Sequence, residues 1–357
     1  GPPSEQPRIL RRPFITLAYA QTLDGMIAAK LPNKTTTTTN MKISSPKSLL
    51  LTHKLRNMHD AILVGGSTFE IDEPRLNSRL PKLTTTASLQ QPMPIVLDTH
   101  LRHLQQILFN TTFPSDSTTL FDDDDDEEET TTIIPTEMSV ERIRANNPII
   151  CCSKKAAFSF LDLLETFQDH HLQQRKKRSK TSYKIIVYKK IDENDHIEDA
   201  CMPIKITVHV THHNKNKKEE DVTQEVTFTL LPCPINERTN SVSLKHAMCQ
   251  LCDQFEIRSI MVEGGAGILS SFLNEYGGGG GGDDDDDDDD EEDNIVRCIC
   301  VTIAPTVLGG FGLPSLGGLD ALMKVKGEKD DEEVPTLKRI DGKFIPLGRD
   351  CVFLGRL

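Results

Sequence analysis

Ile260-Met261-Val262-Glu263-Gly264-Gly265-Ala266-Gly267-Ile268-Leu269-Ser270-Ser271-Phe272-Leu273 reads as a strand, a glycine turn and a helix. Its first three residues are a short apolar run, as a buried strand presents. Two glycines break the run. Beyond them Ile268 and Phe272 fall four apart, as do Leu269 and Leu273, giving one apolar stripe on a helix. Glycines at such a turn let a backbone come close to a ligand. The helix start adds unpaired N–H groups and a positive dipole end, which suit a phosphate. The same letters also fit a plain strand-to-helix turn, and the glycines alone do not separate the two readings.

Upstream, strands alternate with helices. Pro13 to Ala20 is a β-branched and apolar strand that ends in the turn signal Thr22-Leu23-Asp24-Gly25. Ser45 and Pro46 are an N-cap and a first helical residue, and Leu51, Leu55 and Met58 are the expected buried face. Ala61 to Gly66 is a buried strand, followed by a polar segment, Ser67 to Arg79, without a strong period. Pro94 to Thr99, Pro148 to Cys152 and Tyr183 to Tyr188 are further strands, and Ala156 to Phe167 a helix. Ile204 to Val210 and Glu225 to Leu231 alternate as exposed strands, and Ser243 to Glu256 is a helix. Ile295 to Ala304 and the alternation around Phe344 and Val352-Phe353-Leu354 close the chain with strands. The class is α/β with a mixed sheet.

The net charge of −13 misleads. Asp122 to Glu129 and Asp283 to Asp293 hold nineteen acids, and the remainder carries +6. That mild, scattered basic balance suits an anionic small molecule and is no argument for nucleic acid. The acidic runs, the Thr35 to Thr39 tract and the Gly277 to Gly282 run read as solvated insertions. The expected organisation is a loose tail over 1–12 and one domain over 13–357, with disordered insertions near 31–39, 114–132, 212–221 and 277–293. No apolar run approaches the roughly 20 residues of a membrane helix. No secretory leader is visible, and a start at Gly1-Pro2 without Met is expected of a trimmed N-terminus. Cys249 and Cys252 form a C-x-x-C within a helical pattern, and no second such pair completes a zinc site. The nine cysteines therefore read as buried free thiols of a reducing compartment, here the cytoplasm.

Polar groups follow several of the strands: Thr22 with Asp24, Thr68 with Asp72, Thr99, and Glu263. Ligands of open α/β sheets sit beyond such carboxyl ends. Four pieces occur in order: Thr22-Leu23-Asp24-Gly25; Leu55-Arg56 before Ala61-Ile62-Leu63-Val64-Gly65; Thr68-x3-Asp72-x-Pro74-x-Leu76-x2-Arg79; and Val262-Glu263-Gly264-Gly265. Together they resemble the riboflavin-biosynthesis reductases that act on 2,5-diamino-6-ribosylamino-4(3H)-pyrimidinone 5′-phosphate, and the C-terminal half of the bacterial deaminase–reductase. The resemblance runs from about Pro13 to Leu354 with the insertions masked.

The resemblance implies a dihydrofolate-reductase-like fold, with a mixed, mostly parallel sheet flanked by helices. It also implies a homodimer, NADPH as hydride donor and a phosphorylated pyrimidine as substrate. By position, Ala20, Lys42, Thr68, Asp72, Thr99 and the loop Gly264, Gly265, Ala266, Gly267, Ile268, Leu269 and Ser270 would touch NADPH. Cys233 would line the cofactor. Asn40, Arg56, Leu76, Arg79 and Glu263 would face the substrate, with Arg56 and Arg79 as bidentate partners of its 5′-phosphate. Glu263 would serve the reaction itself. Lys42 departs from the pattern, standing where the bacterial enzyme can carry an aromatic. The deaminase half's His-x-Glu and Pro-Cys-x-x-Cys are missing, since Pro232-Cys233 continues as Pro234-Ile235-Asn236. The expected chemistry is reduction without deamination. A dihydrofolate reductase, or a nucleotide-binding module without catalysis, are the alternatives.

Overall fold

Apolar and β-branched runs become strands throughout the computed structural model. Its described residues are 12–30, 38–39, 42–79, 91–109, 138–174, 181–189, 202–213, 221–277, 296–315 and 340–357. Most of the tail and of the four expected insertions lies outside them, as does Asn40. In chain order come β1 (Phe14–Thr22), β2 (Met26–Lys30), β3 (Thr38–Thr39), α1 (Pro46–Met58), β4 (Ala61–Gly65), α2 (Gly66–Asp72), β5 (Met93–Leu97) and α3 (Arg102–Phe109). Then follow β6 (Ile149–Ser153), α4 (Lys154–Gln174), β7 (Thr181–Lys189), β8 (Ile204–His212), β9 (Val222–Cys233), β10 (Ile235–Asn236) and β11 (Ser241–Val242). The last are α5 (Leu244–Phe255), β12 (Ser259–Val262), α6 (Ala266–Gly277), β13 (Val296–Ala304), β14 (Gly312–Pro314), β15 (Asp341–Leu347) and β16 (Asp350–Arg356).

These elements fall into two compact units. The first holds the described parts of residues 1–65, 76–93 and 244–357, the second those of 66–75 and 94–243. In the first unit the strand order is β15-β16-β13-β1-β12-β4. β1 runs parallel to β12 and β13, and β12 parallel to β4, whereas β16 and β15 add antiparallel at the edge. Ile15, Leu17, Ile62, Leu63, Ile260 and Val262 are fully buried, which is why their strands read as unbroken apolar runs. β12 ends at Val262, level with Leu17 and Leu63, whereas β1 runs on to Thr22 beside Ala304 of β13; being parallel, these strands point their carboxyl ends the same way. β14, β2 and β3 form a small second sheet, so the described end of the threonine tract, Thr38 and Thr39, is a strand and not loop.

Helix α1 starts where the sequence says it should. Ser45 is extended, its Oγ accepts the Ser48 N–H at 3.4 Å, and Pro46 opens the first turn. Leu51 and Leu55 pack on Ala18, Met261, Cys300 and Val352. Met58, expected on that face, is 74% exposed; the inward positions of this helix include His53 instead. The side chain of Asp350, from the start of β16, reaches under the helix start. Its Oδ2 accepts the Ser45 N–H at 2.7 Å and the Ser48 hydroxyl at 2.6 Å. Burial pushes this carboxyl up, but the hydrogen bonds from Ser48 and Ser45 outweigh it and hold it below its ordinary range.

In the second unit the order is β5-β6-β9-β8-β7, parallel from β5 to β9 and antiparallel beyond. Ile204, Ile206, Val208 and Val210 of β8 are buried, so this strand is half-buried and not exposed as its alternation suggested. Two short helices are not anticipated from the sequence, although Leu104, Ile107 and Leu108 of α3 fall three and four apart and are buried. In α2 Gly66 is required, because a Cβ there would come 2.5 Å from His103 Cδ2. Asp98 accepts the Leu104 N–H at 2.9 Å and so fixes the start of α3. No described helix is long and apolar enough to cross a membrane. Of the described cysteines, all free thiols, Cys151, Cys152, Cys233, Cys249 and Cys300 are buried, whereas Cys252, Cys298 and Cys351 are half-buried and depart from the expectation; no group of three or more described His, Cys, Asp or Glu side chains is placed to hold a metal.

Asp350→Ala should remove about 2 kcal/mol of unfolding free energy at neutral pH, the scale of hydrogen bonds to a charged acceptor. Because the folded carboxyl titrates below its ordinary value, this stability is present above about pH 4 and lost as the pH falls through the lower folded value. Denaturant unfolding of both proteins across that range checks it: the difference should shrink in acid.

Candidate functional site

Glu263 is the first residue past β12, and its N–H still donates to the Leu63 carbonyl at 2.8 Å, extending the ladder between β12 and β4. The carboxylate therefore leaves the sheet at a fixed point. Arg56, in the last turn of α1, meets it with two parallel bonds: Nε donates to Oε1 and Nη2 to Oε2, both at 2.6 Å. The two side chains are 13% and 15% exposed. Burial works against the Arg56 charge, but the hydrogen bonds and charge of Glu263 outweigh it and raise the guanidinium's pKa. The third nitrogen, Nη1, donates to the Asn77 carbonyl at 3.1 Å. All three guanidinium nitrogens are thus bonded within the protein. The fork that the sequence reading assigned to a phosphate holds Glu263.

The Asn77 contact belongs to a wider clamp on residues 76–79. The Ser78 hydroxyl donates to the His53 carbonyl at 3.0 Å, and the Arg79 N–H donates to His53 Nδ1 at 3.3 Å. Gln91 closes the other side, its Oε1 accepting the Ser78 N–H at 2.9 Å and its Nε2 donating to the Ser78 carbonyl at 3.2 Å. Leu76 is 1% exposed and sits at φ +46°, a left-handed conformation that costs a non-glycine residue about 1–2 kcal/mol. The clamp holds that conformation. The Arg79 side chain is exposed. Sequence reading missed His53, Asn77, Ser78 and Gln91. A usable signal was the spacing of His53 and Arg56, three apart and so on one helix face.

Beyond Glu263, Gly264 takes φ +141°, a region favouring glycine, and the chain turns into α6. Leu269 N–H donates to the Gly265 carbonyl at 3.3 Å, so the backbone N–H groups of Ala266, Gly267 and Ile268 head the helix. Gly267 is exposed, with open space where a Cβ would stand. This is a surface on which an anionic group can approach the backbone. Ala20 is half-buried near the end of β1, and Lys42 is exposed. Asp24 is a structural clamp: it accepts from Thr22 Oγ1 at 2.5 Å and from the Gly309 N–H at 2.7 Å. The Thr22 hydroxyl, and then the backbone donors, hold its carboxyl below the ordinary range.

The remaining expected cofactor residues belong to the second unit. Thr68 lies half-buried in α2, and Asp72 is exposed at its end. Thr99 follows β5; its Oγ accepts the Val242 N–H at 3.1 Å and its carbonyl the Ser153 N–H at 2.8 Å. Cys233 is fully buried, with its Sγ donating to the Leu231 carbonyl at 3.3 Å. Its hydrogen bond with Cys151, together with burial, pushes the thiol far above its ordinary pKa. Among the described site residues, then, Arg56, Leu76, Arg79, Glu263 and the glycine loop share one unit, and Thr68, Asp72, Thr99 and Cys233 the other.

The sequence pattern of the RibD C-terminal domain family matches residues 13–174 and 163–276. A protein of Debaryomyces hansenii named 2,5-diamino-6-ribosylamino-4(3H)-pyrimidinone 5′-phosphate reductase is 44% identical over 87 residues, 24% of this chain and 32% of its own length. A Saccharomyces cerevisiae protein of the same name is 24% identical over 300 residues, 84% of this chain and 75% of its own. A solved structure of the S. cerevisiae riboflavin biosynthesis reductase aligns with a TM-score of 0.46 at 20% identity, covering 97% of this chain and 90% of that one.

Arg56→Met leaves Glu263 without its partner and should cost about 3 kcal/mol of unfolding free energy. Combined with Glu263→Gln, the loss should be smaller than the sum of the two single losses. A double-mutant cycle by denaturant unfolding checks this, and strict additivity would show that the pair does not couple.

Proposed function

We infer the activity of this chain from its family: it belongs to the RibD C-terminal domain family. The proposed reaction is reduction of 2,5-diamino-6-ribosylamino-4(3H)-pyrimidinone 5′-phosphate to its ribitylamino form, the substrate being the one its fungal relatives are named for. The proposed hydride donor is NADPH. The observation that carries this reading is the bidentate Arg56–Glu263 pair at the carboxyl end of β12, with the glycine loop directly after Glu263 in sequence and Arg56 also bound to Asn77 of the clamped segment that carries Arg79.

When bound, the nicotinamide would supply a hydride to C1′ of the ring-opened iminium, whose nitrogen has taken a proton from solvent; the C=N electron pair passes to that nitrogen, which ends as a neutral amine. The chain's own groups bind and orient. Within the Gly264 to Ser270 loop, the backbone N–H groups of Ala266, Gly267 and Ile268 at the head of α6 face the cofactor's phosphates, and the open space at Gly267 fits that approach. Ala20, Lys42, Thr68, Asp72 and Thr99 complete the cofactor set. Cys233 joins it only through its backbone, since its thiol is buried. On the substrate side Asn40, Arg56, Leu76, Arg79 and Glu263 keep their place with one change. Arg56 is committed to Glu263, so Arg79, exposed and held by its backbone, takes the 5′-phosphate. Arg56 keeps the Glu263 carboxylate charged and aimed, ready to stabilise positive charge at the imine nitrogen. The working form is proposed to be a homodimer in a reducing, cytoplasmic setting.

The assay is NADPH oxidation with the ribosylaminopyrimidine phosphate. Glu263→Gln should lower kcat about a hundredfold while the NADPH dissociation constant stays within about twofold. Unchanged turnover would remove Glu263 from the reaction. Arg79→Glu should raise the substrate KM by about tenfold to a hundredfold, and an unaltered KM would refute the phosphate assignment. Oxidation with dihydrofolate in place of the pyrimidine would favour a folate reductase, and NADPH binding without oxidation a binding module.

A further inference from the structure

His53 stands outside the proposed reaction, yet it holds two successive residues of the 76–79 segment. Its carbonyl accepts the Ser78 hydroxyl and its Nδ1 accepts the Arg79 N–H. Only an unprotonated Nδ1 can accept that N–H, so the bond requires the neutral imidazole with its proton on Nε2. The residue is 6% exposed, on the inward side of α1. The charged groups facing it are Arg56 from its own helix, Arg79 from the clamped segment and Glu263 from the end of β12. Burial comes first, then the two arginines, in disfavouring the imidazolium; Glu263 and the Asn77 carbonyl oppose them, and the net direction is downward.

We propose that His53 is a positioning residue, a pH-sensitive latch whose neutral ring fixes residues 76–79 and so aims Arg79 at the substrate's phosphate. Protonation turns Nδ1 into a donor that faces the Arg79 N–H, breaking that bond, and places a third positive charge beside Arg56 and Arg79. The segment then loosens, and Leu76 loses the support of its left-handed conformation. The sign follows from the lowered folded pKa: the latch is fully closed above the ordinary histidine value of 6.5 and opens only as the pH falls through the lower folded value. The proposal rests on the reading of Arg79 as the phosphate residue.

Two variants and two measurements test it. His53→Gln keeps an acceptor in place but cannot titrate; His53→Leu removes the acceptor. At pH 8 the Gln variant should hold the substrate KM within about twofold of wild type, while the Leu variant raises it about fivefold at nearly constant kcat, the scale of one lost hydrogen bond. Between pH 8 and the lowest pH at which both proteins stay folded, the wild-type KM should rise more than that of the Gln variant. The substrate's own phosphate titrates in both proteins and cancels in the comparison. Hydrogen exchange at the Arg79 amide, corrected for intrinsic rates, should lose protection in acid in the wild type and not in the Gln variant. Equal acid profiles for wild type and the Gln variant, in KM and in amide protection, would overturn the latch, and this comparison decides even where the Leu variant does not fold. Acid loss of amide protection without a change in KM would confirm the latch and refute Arg79 as the phosphate residue.

Discussion

Everything at the candidate site depends on two carboxylate oxygens facing two guanidinium nitrogens. Arg56 and Glu263 are 207 residues apart in sequence, yet they meet in a planar, bidentate pair. One is placed by the last turn of α1 and the other by the end of β12. Such a pair is a poor device for stability alone, because removing two charges from water costs as much as their attraction returns. It is a good device for keeping a carboxylate ionised and pointed in one direction. That is what a reaction passing through a positively charged nitrogen needs.

Around the pair the molecule divides its labour. Buried strands supply a rigid frame, and polar clamps hold the irregular segments to it. Asp350 fixes the start of the helix that carries Arg56. Asp24 ties the turn after β1 to the backbone at Leu308 and Gly309. His53 and Gln91 grip residues 76–79 from both sides. Each clamp joins residues distant in sequence, so each is a tertiary commitment. The strained φ at Leu76 is the expected companion of such a segment, since strain persists only where the surroundings overdetermine it.

The division also decides what could be read from the letters. Buried parallel strands announce themselves as apolar runs, and β1, β4 and β12 were legible for that reason. Ser45-Pro46 announced the start of α1, and the glycines after Glu263 the turn into α6. The short helix α2 was silent: it has seven residues and begins at Gly66, directly after β4. Met58 continued the spacing of Leu51 and Leu55, but the helix ends there and the residue meets solvent. The family motif located Arg56 and Glu263 but not their attachment to one another, because a pairing across 207 residues leaves no local trace. Cys233 was placed beside the cofactor by its position in the chain, whereas its strand turns the thiol into the core.

The central claim is that this chain transfers a hydride to C1′ of a phosphorylated ribosylaminopyrimidine. Carrying out the reaction with NADPH deuterated at the transferring C4 position and locating the label in the product by mass spectrometry and NMR tests it most directly. The account predicts one deuterium, on C1′ of the ribityl chain, retained in water. Label washed into solvent, label at another carbon, or unlabelled product would contradict it.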